Sequence, residues 1–275
     1  TGQMIEALES GKYDPNKTAL IMSQTGGGCR ATNYIGFIRK ALKDAGYPNI
    51  PVISFNVVGM EKVPGFKLTI PLLEKLLRGV LYGDLLQKML TKNRAYEKNK
   101  GETQALFDKW MEKCKEILKN GNSKEFKQSI YLLEKEGAEV VLPDFMGFIK
   151  FMATHKVTFN SLLRTNPIVA KISKAAISLI DILEKDSKEA LGKSKKDYLP
   201  PCNIWHLENT VKDILSIGNQ TGEGWFLTAE MIEYIEHGIP NIICVQPFAC
   251  LPNHVVGKGV IKTIREKYPN ANISP

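Results

Sequence analysis

Residues 18–33 constrain the possible fold more than any other part of the sequence, because they join an apolar run to a glycine turn and a helical pattern. The run from Ala19 to Met22 has the composition of a buried strand. Three consecutive glycines and Cys29 follow it, and apolar residues then recur at helical spacing over 34–42. A strand, a glycine turn and a helix in this order predict the first half of a β–α–β unit.

The glycine turn places a cysteine where a ligand could bind. Glycine adopts positive φ without strain and lets backbone N–H groups come close to a ligand. A helix N-terminus favours negative charge, and the thiolate form of cysteine is both the nucleophile and the metal-binding form. We therefore expect Cys29 to act as a nucleophile or as a metal ligand, on a loop shaped by Gly26, Gly27 and Gly28.

Composition narrows the function classes. The chain has 275 residues, a formal charge of +8 and 43% apolar residues, which is ordinary for a globular protein with a real core. Its lysines are scattered and the sequence has no arginine-rich arm, so the positive charge does not indicate a nucleic-acid partner. The most apolar stretch, 66–90, carries six charged residues, so we expect no membrane span.

The five cysteines are unclustered, which is typical of a reducing cytoplasm.

The remaining patterns predict an α/β fold with two flavodoxin-like or Rossmann-like parallel-sheet units and an additional helical layer. A second strand at 52–57 should lie parallel to the first. Residues 69–136 have helical spacing almost throughout, and further helices are expected at 145–163 and 167–191. We place the first unit at 1–136, with its helical extension, and the second at 137–275, where a short strand at 139–142 would begin it.

The last 35 residues resemble the first unit in outline. An apolar strand at 242–245 precedes a loop with Cys250, and a helix follows from Val255 to Tyr268. Each unit has an asparagine three or four residues after its cysteine and ends its helix in Tyr-Pro-Asn; the asparagines are Asn33 and Asn253. Both cysteines would then lie past the carboxyl end of a strand, where open α/β sheets bind ligands.

Three chemistries remain open from the residues alone. A dinucleotide site is weakly indicated by Gly26, Gly28 and Ala31, because the second strand lacks an acidic residue at its end. A cysteine–histidine pair would need His254, the histidine nearest a candidate cysteine. An iron–sulfur site would use the soft thiolates of Cys29 and Cys250, with Cys202 as a possible third ligand.

Three segments resemble the large proteins related to activators of 2-hydroxyacyl-CoA dehydratase, the CoA enzyme activase family. They are QTGGGCRATNY at 24–34, GEGWFL at 222–227 and QPFACLPNHVVGKG at 246–259. The resemblance runs along the whole chain. Full-length members are fused to ATPase domains of the actin and sugar-kinase type, so this chain resembles the cluster-bearing, dehydratase-like region without those domains.

The resemblance implies anaerobic, iron–sulfur-dependent electron transfer at low potential. Related dehydratases and reductases hold a 4Fe-4S or a double-cubane cluster between paired flavodoxin-like domains. An ATP-hydrolysing activator supplies the electron, and acyl-CoA thioesters react through ketyl radicals. Cys29 and Cys250 match two metal-ligand positions, while the third falls upstream of Thr1, so the cluster could be incomplete here. Gly26, Gly27, Gly28, Arg30 and Asn253 would shape the cofactor site.

No catalytic acid or base can be matched, so whether the chain is itself an enzyme component stays open, as does its substrate. Two alternatives remain from other classes. One is a cluster-free scaffold that docks an ATPase partner, and the other is a nucleotide-binding α/β domain.

Overall fold

The computed structural model describes residues 1–24, 30–55, 69–94, 96–120, 143–193, 198–244 and 250–274. Helices account for 68% of these residues. The α-helices are α1 (Gly2–Glu9), α2 (Tyr34–Asp44), α3 (Ile70–Arg94), α4 (Glu102–Asn120), α5 (Phe145–Leu163), α6 (Pro167–Gly192), α7 (Ile204–Val211), α8 (Gly224–Glu236) and α9 (Ile261–Lys267). The strands are β1 (Leu20–Ser23), β2 (Val52–Phe55), β3 (Asn241–Ile243) and β4 (Asn272–Ser274).

The strands form two small parallel sheets. β1 pairs with β2 from Leu20↔Val52 to Ser23↔Phe55, and β3 pairs with β4 from Asn241↔Asn272 to Ile243↔Ser274. The parallel pairing of the first two strands is as predicted. The predicted fold class is wrong, because in the described chain each sheet has two short strands rather than the several that a flavodoxin-like unit needs.

Each sheet belongs to a strand–helix–strand unit that is smaller than the predicted units: the first runs from β1 to β2 and the second from β3 to β4. In both units the helix leads into the same Tyr-Pro-Asn turn before the second strand. In the first unit, α2 leads into Tyr47-Pro48-Asn49, and Ile50 N donates to Tyr47 O at 3.3 Å before β2. In the second unit, α9 leads into Tyr268-Pro269-Asn270, and Ala271 N donates to Tyr268 O at 2.9 Å before β4. The structure therefore supports the internal similarity that the sequence suggests.

The first unit has a core of its own. Leu8 of α1 packs with Ile38 and Leu42 of α2 and with Ile50, all at most 7% exposed. The amphipathic face of α2 explains this arrangement, since its buried residues recur three and four positions apart.

The middle of the chain forms a helical layer instead of a sheet. Its core joins residues of α3, α4, α5 and α6, including Leu85, Cys114, Met146 and Ile180. In the described residues, these helices bury apolar faces against one another rather than against a broad sheet. This core takes residues from both sides of the predicted boundary at 136/137, and the boundary itself lies outside the described residues.

Helices α5 and α6 form an antiparallel hairpin that matches the prediction closely. The residue that caps the C-terminus of α5, Arg164, has a left-handed φ of 50°. Asn166 then caps α6, because its side chain accepts from Ile168 N and Val169 N, and Pro167 occupies the first turn.

Other boundaries differ from the expectations. Helical spacing in the sequence also predicts a helix at 207–217, whereas the structure has this helix at Ile204–Val211. The helix expected from Val255 begins as a π-helical turn, Asn253–Gly257. β4 was not predicted, and the strand expected at 139–142 lies outside the described residues. Within the described chain, no helix is both long and apolar enough to cross a membrane.

Candidate functional site

Cys250 lies in the loop of the second unit, between β3 and the helical turn that starts at Asn253. Its thiol is partly exposed. The side chain of Asn253 is buried, and its Nδ2 donates to Cys250 Sγ at 3.0 Å. The loop therefore presents a sulfur that a ligand can reach and whose position is set by a buried amide.

His254 does not activate this thiol. Its Nδ1 lies 2.9 Å from the backbone oxygen of Cys250, so Nδ1 carries the proton and donates it to that carbonyl. No hydrogen bond joins the imidazole to Sγ in the described part of the chain. The arrangement gives no support to a cysteine–histidine nucleophile at Cys250.

The segment 222–227 packs against the residues that follow Cys250. Gly222 has a φ of +63°, and a Cβ there would lie 2.6 Å from Pro252 Cγ. A hydrogen bond from Thr228 Oγ1 to the Val256 carbonyl fixes α8 against the same turn. Two of the three segments that carry the family resemblance are therefore in direct contact.

Gln24 lies at the end of β1 and makes hydrogen bonds with both of its amide atoms. It is 7% exposed, its Nε2 donates to Thr32 O at 2.7 Å, and its Oε1 accepts from Ser54 Oγ at 2.7 Å. One amide thus joins the end of β1 to β2 and to the residues that lead into α2. No residue pattern predicts this role for Gln24, and the only sequence signal is its place in the family-like segment at 24–34.

The predicted site residues divide into two groups. Cys250 and Asn253 are described and lie together. Gly26, Gly27, Gly28 and Cys29 lie outside the described residues, and of Arg30 only the backbone is described, in the short helix Arg30–Asn33. A shared site for Cys29 and Cys250 therefore stays a prediction.

The other described cysteines are core residues. Cys114, Cys202 and Cys244 are at most 6% exposed. Burial raises the pKa of Cys114 to about 12, and it also raises the pKa values of Cys202 and Cys244. The sequence predicts that Cys114 and Cys244 are buried apart from the candidate site. Their burial is confirmed, but Cys244 lies beside the Asn253 turn, because a Cβ at Gly257 would be 3.4 Å from Cys244 Sγ and 3.8 Å from Asn253 Oδ1. The buried environment of Cys202 does not favour it as a third metal ligand.

The described residues supply part of an iron–sulfur ligand set at most. A partly exposed cysteine can serve as a cluster ligand once it is deprotonated, and an N–H bond to its sulfur would tune the potential of the cluster. In the ranges that the structure describes, no three His, Cys, Asp or Glu side chains lie close enough to hold a metal ion. Cys250 fits, and the remaining ligands would have to come from outside the described residues, with Cys29 as the first candidate.

A buried charge network lies elsewhere, between α5 and α6. Lys150 is fully buried, and its Nζ donates to Cys202 O at 2.6 Å and to Glu184 Oε2 at 2.9 Å. Asp181 Oδ1 lies 3.3 Å from the same nitrogen. This network joins α5, α6 and the segment before α7, and we interpret it as structural.

Asp84 connects α3 to the start of α5. Its carboxylate accepts from Phe145 N at 3.0 Å and Met146 N at 2.9 Å, and Lys88, one turn along α3, pairs with Asp144 at 2.7 Å. Burial, helped by the nearby Asp144 charge, raises the pKa of Asp84 to about 6. This contact caps α5 from a neighbouring helix.

His155 is also a packed residue. Burial lowers its pKa to about 4, so it is neutral near pH 7. Its ring meets Phe151 edge-on, with 5.0 Å between centroids.

The chain matches no known protein-family model, and comparison with curated proteins and with solved structures also found no match. The case for this site therefore rests on its own residues and geometry.

Proposed function

We propose that this chain is an iron–sulfur-binding component of ATP-coupled, low-potential electron transfer, linked to radical chemistry of the 2-hydroxyacyl-CoA dehydratase or acyl-CoA reductase type. The partner would be an ATP-hydrolysing activator domain or subunit. An acyl-CoA would be the electron acceptor, and the cytoplasm would be the compartment.

The observation that carries the proposal is the Cys250 thiol with its Asn253 donor, in a strand–helix–strand unit whose counterpart has Cys29 in the same order. The two units have parallel strands and the same terminal turn. Cys29 would then be the second ligand, supplied by the other unit. The thiolates of Cys29 and Cys250, one from each unit, would form a symmetric but incomplete ligand set for the cluster. A further ligand would complete it.

Each residue has a role within this proposal. Cys29 and Cys250 would hold the metal as thiolates. The N–H of Asn253 would withdraw electron density from the Cys250 sulfur, and Gly26, Gly27 and Gly28 would bring backbone N–H groups close. Arg30 would add positive charge near the site. When bound, an iron–sulfur cluster accepts and donates single electrons at a potential set by such hydrogen bonds and by exposure.

The test is anaerobic reconstitution of the chain with iron and sulfide, with a small external thiol to fill the positions that two cysteines leave. We expect iron to bind together with visible thiolate-to-iron absorption, and Cys29→Ser or Cys250→Ser to abolish both. Cys114→Ala, at a buried cysteine, is the matched control and should leave both unchanged.

A redox titration of the reconstituted protein extends this test to Asn253. Asn253→Ala removes one N–H bond to sulfur and should shift the potential to a more negative value without releasing iron. If the chain binds no iron under any of these conditions, the proposal fails and the cluster-free scaffold that docks an ATPase becomes the better description.

A further inference from the structure

Helix α6 exposes an apolar stripe on the face opposite its own core. Its buried face includes Ala170, Ile177 and Ile180. On the outer face, exposed apolar residues follow one another at steps of four, three, four and three positions: Ile168, Ile172, Ala175, Leu179 and Ile182. The four large side chains are 68%, 63%, 54% and 67% exposed, in chain order.

This spacing has a specific structural meaning. Alternating steps of three and four give a mean repeat of 3.5 residues, which is the seam of a helix that pairs with another helix. The stripe spans about 21 Å at 1.5 Å per residue. Monomeric proteins rarely expose a continuous apolar strip of this kind, so it indicates a binding surface.

The charges beside the stripe indicate what kind of helix would bind. Lys171 and Lys185 occupy equivalent positions along one edge, two heptads apart, with Ser178 between them. Neither lysine has an ion-pair partner within the described ranges, whereas Asp181 on the inner side pairs with Lys150 and Lys188. The opposite edge is apolar, with Val169, Ala176 and Leu183.

We propose that this stripe binds an amphipathic α-helix of another protein, one that presents acidic residues at heptad spacing to Lys171 and Lys185. A second copy of this chain fits less well. Antiparallel pairing of two α6 stripes would bring Lys171 of one copy beside Lys185 of the other, and parallel pairing would provide no opposite charge at either lysine. Charge complementarity therefore selects an acidic partner helix.

The probe is a designed four-heptad peptide with leucine at the a and d positions and glutamate at e and g, labelled for fluorescence anisotropy. The comparison peptide has lysine in place of glutamate. We expect saturable binding of the acidic peptide and binding at least about tenfold weaker for the basic one. The double variant Lys171→Glu/Lys185→Glu should reverse this preference.

A second pair of variants separates the apolar contact from the charge. Ile172→Asp/Leu179→Asp should abolish binding, and since both side chains are exposed, thermal melting should stay near that of the unchanged chain. Phe37→Asp, at a residue of α2 that is 59% exposed, is the control and should bind normally.

Four results would overturn the proposal. The acidic peptide fails to bind, or both peptides bind equally well to the unchanged chain. The chain sediments as a dimer that Ile172→Asp converts to a monomer, which would make a second copy the occupant. Vesicles with equal amounts of phosphatidylcholine and phosphatidylglycerol bind the unchanged chain but not the Ile172→Asp variant, which would make the stripe a membrane contact. None of these measurements depends on iron, so they are independent of the proposed electron transfer.

Discussion

Replacing Lys150 with methionine should destabilise the folded chain strongly, although the residue lies outside the candidate metal site. The Lys150 side chain has no exposed surface, and its Nζ is held by the Cys202 carbonyl at 2.6 Å and by Glu184 Oε2 at 2.9 Å. Methionine fills a similar volume but donates no hydrogen bond. The Lys150→Met variant would therefore leave a buried carboxylate and a buried carbonyl without their main donor.

The size of this loss in stability depends on which ion-pair partners Glu184 keeps in the variant. Breaking a buried ion pair by removing one partner costs about 3–5 kcal/mol. Glu184 keeps Lys188 at 3.1 Å, and that lysine is 34% exposed, so its support is weaker than that of Lys150. We expect a loss of about 3 kcal/mol in the free energy of unfolding, at the lower end of that range.

Urea unfolding of four proteins measures this prediction: the unchanged chain, Lys150→Met, Glu184→Leu and the double variant. Removing both charges leaves an apolar pair, so the double variant should recover at least about 2 kcal/mol relative to the sum of the single losses. Lys188→Met is the control and should cost less than about 1 kcal/mol because its side chain is partly solvated. Additive losses in the double variant, or a Lys150→Met protein as stable as the unchanged chain, would refute the reasoning.

Three further predictions concern other parts of the molecule. Asp84 has a folded pKa of about 6, above its ordinary 3.8, so its own contribution to stability should rise by about 2 kcal/mol as pH falls from 7 to 4, while His155, with its pKa lowered to about 4, opposes this rise; Asp84→Asn should therefore lose more stability than the unchanged chain over this range of a urea-unfolding profile, and parallel profiles would contradict the prediction. Gly222→Ala, with a Cβ in collision at a φ of +63°, should lower the melting temperature through about 1–3 kcal/mol of strain, whereas Gly36→Ala, with open space around it, should not. Iodoacetamide should label Cys250 well before Cys114 in the native protein, and equal labelling rates by mass spectrometry would contradict the burial of Cys114.

The elements with strong local signals could be predicted from sequence. The helices at 145–163 and 167–191 were placed almost to the residue, because apolar periodicity, Asn166 and Pro167 all indicate the same boundaries. The parallel pairing of β1 and β2 followed from the strand–glycine–helix order. These features depend on residues that are close in the chain.

The fold class could not be predicted, because it depends on which apolar faces meet. Helices α3 to α6 pack on one another, and the strands pair only two at a time, so the described residues form no broad sheet. β4 carries one apolar residue, Ile273, between Asn272 and Ser274, and so has no strand periodicity to detect.

The site was foreseen in part. The family resemblance implies that Asn253 helps to shape the cofactor site, but the N–H···S contact that joins it to Cys250 was not predicted. The Gln24–Ser54 hydrogen bond and the approach of Gly222 to Pro252 join residues about 30 positions apart in the chain, and no local pattern specifies such contacts.

The most direct test of the account is whether Cys29 and Cys250 lie at one site. The measurement is cross-linking of the native chain with a short bifunctional thiol reagent, followed by proteolysis and mass spectrometry. The account predicts one cross-linked peptide pair that contains both cysteines and disappears in Cys29→Ser and in Cys250→Ser. Separate labelling of the two cysteines, with no linked pair, would contradict a shared ligand set.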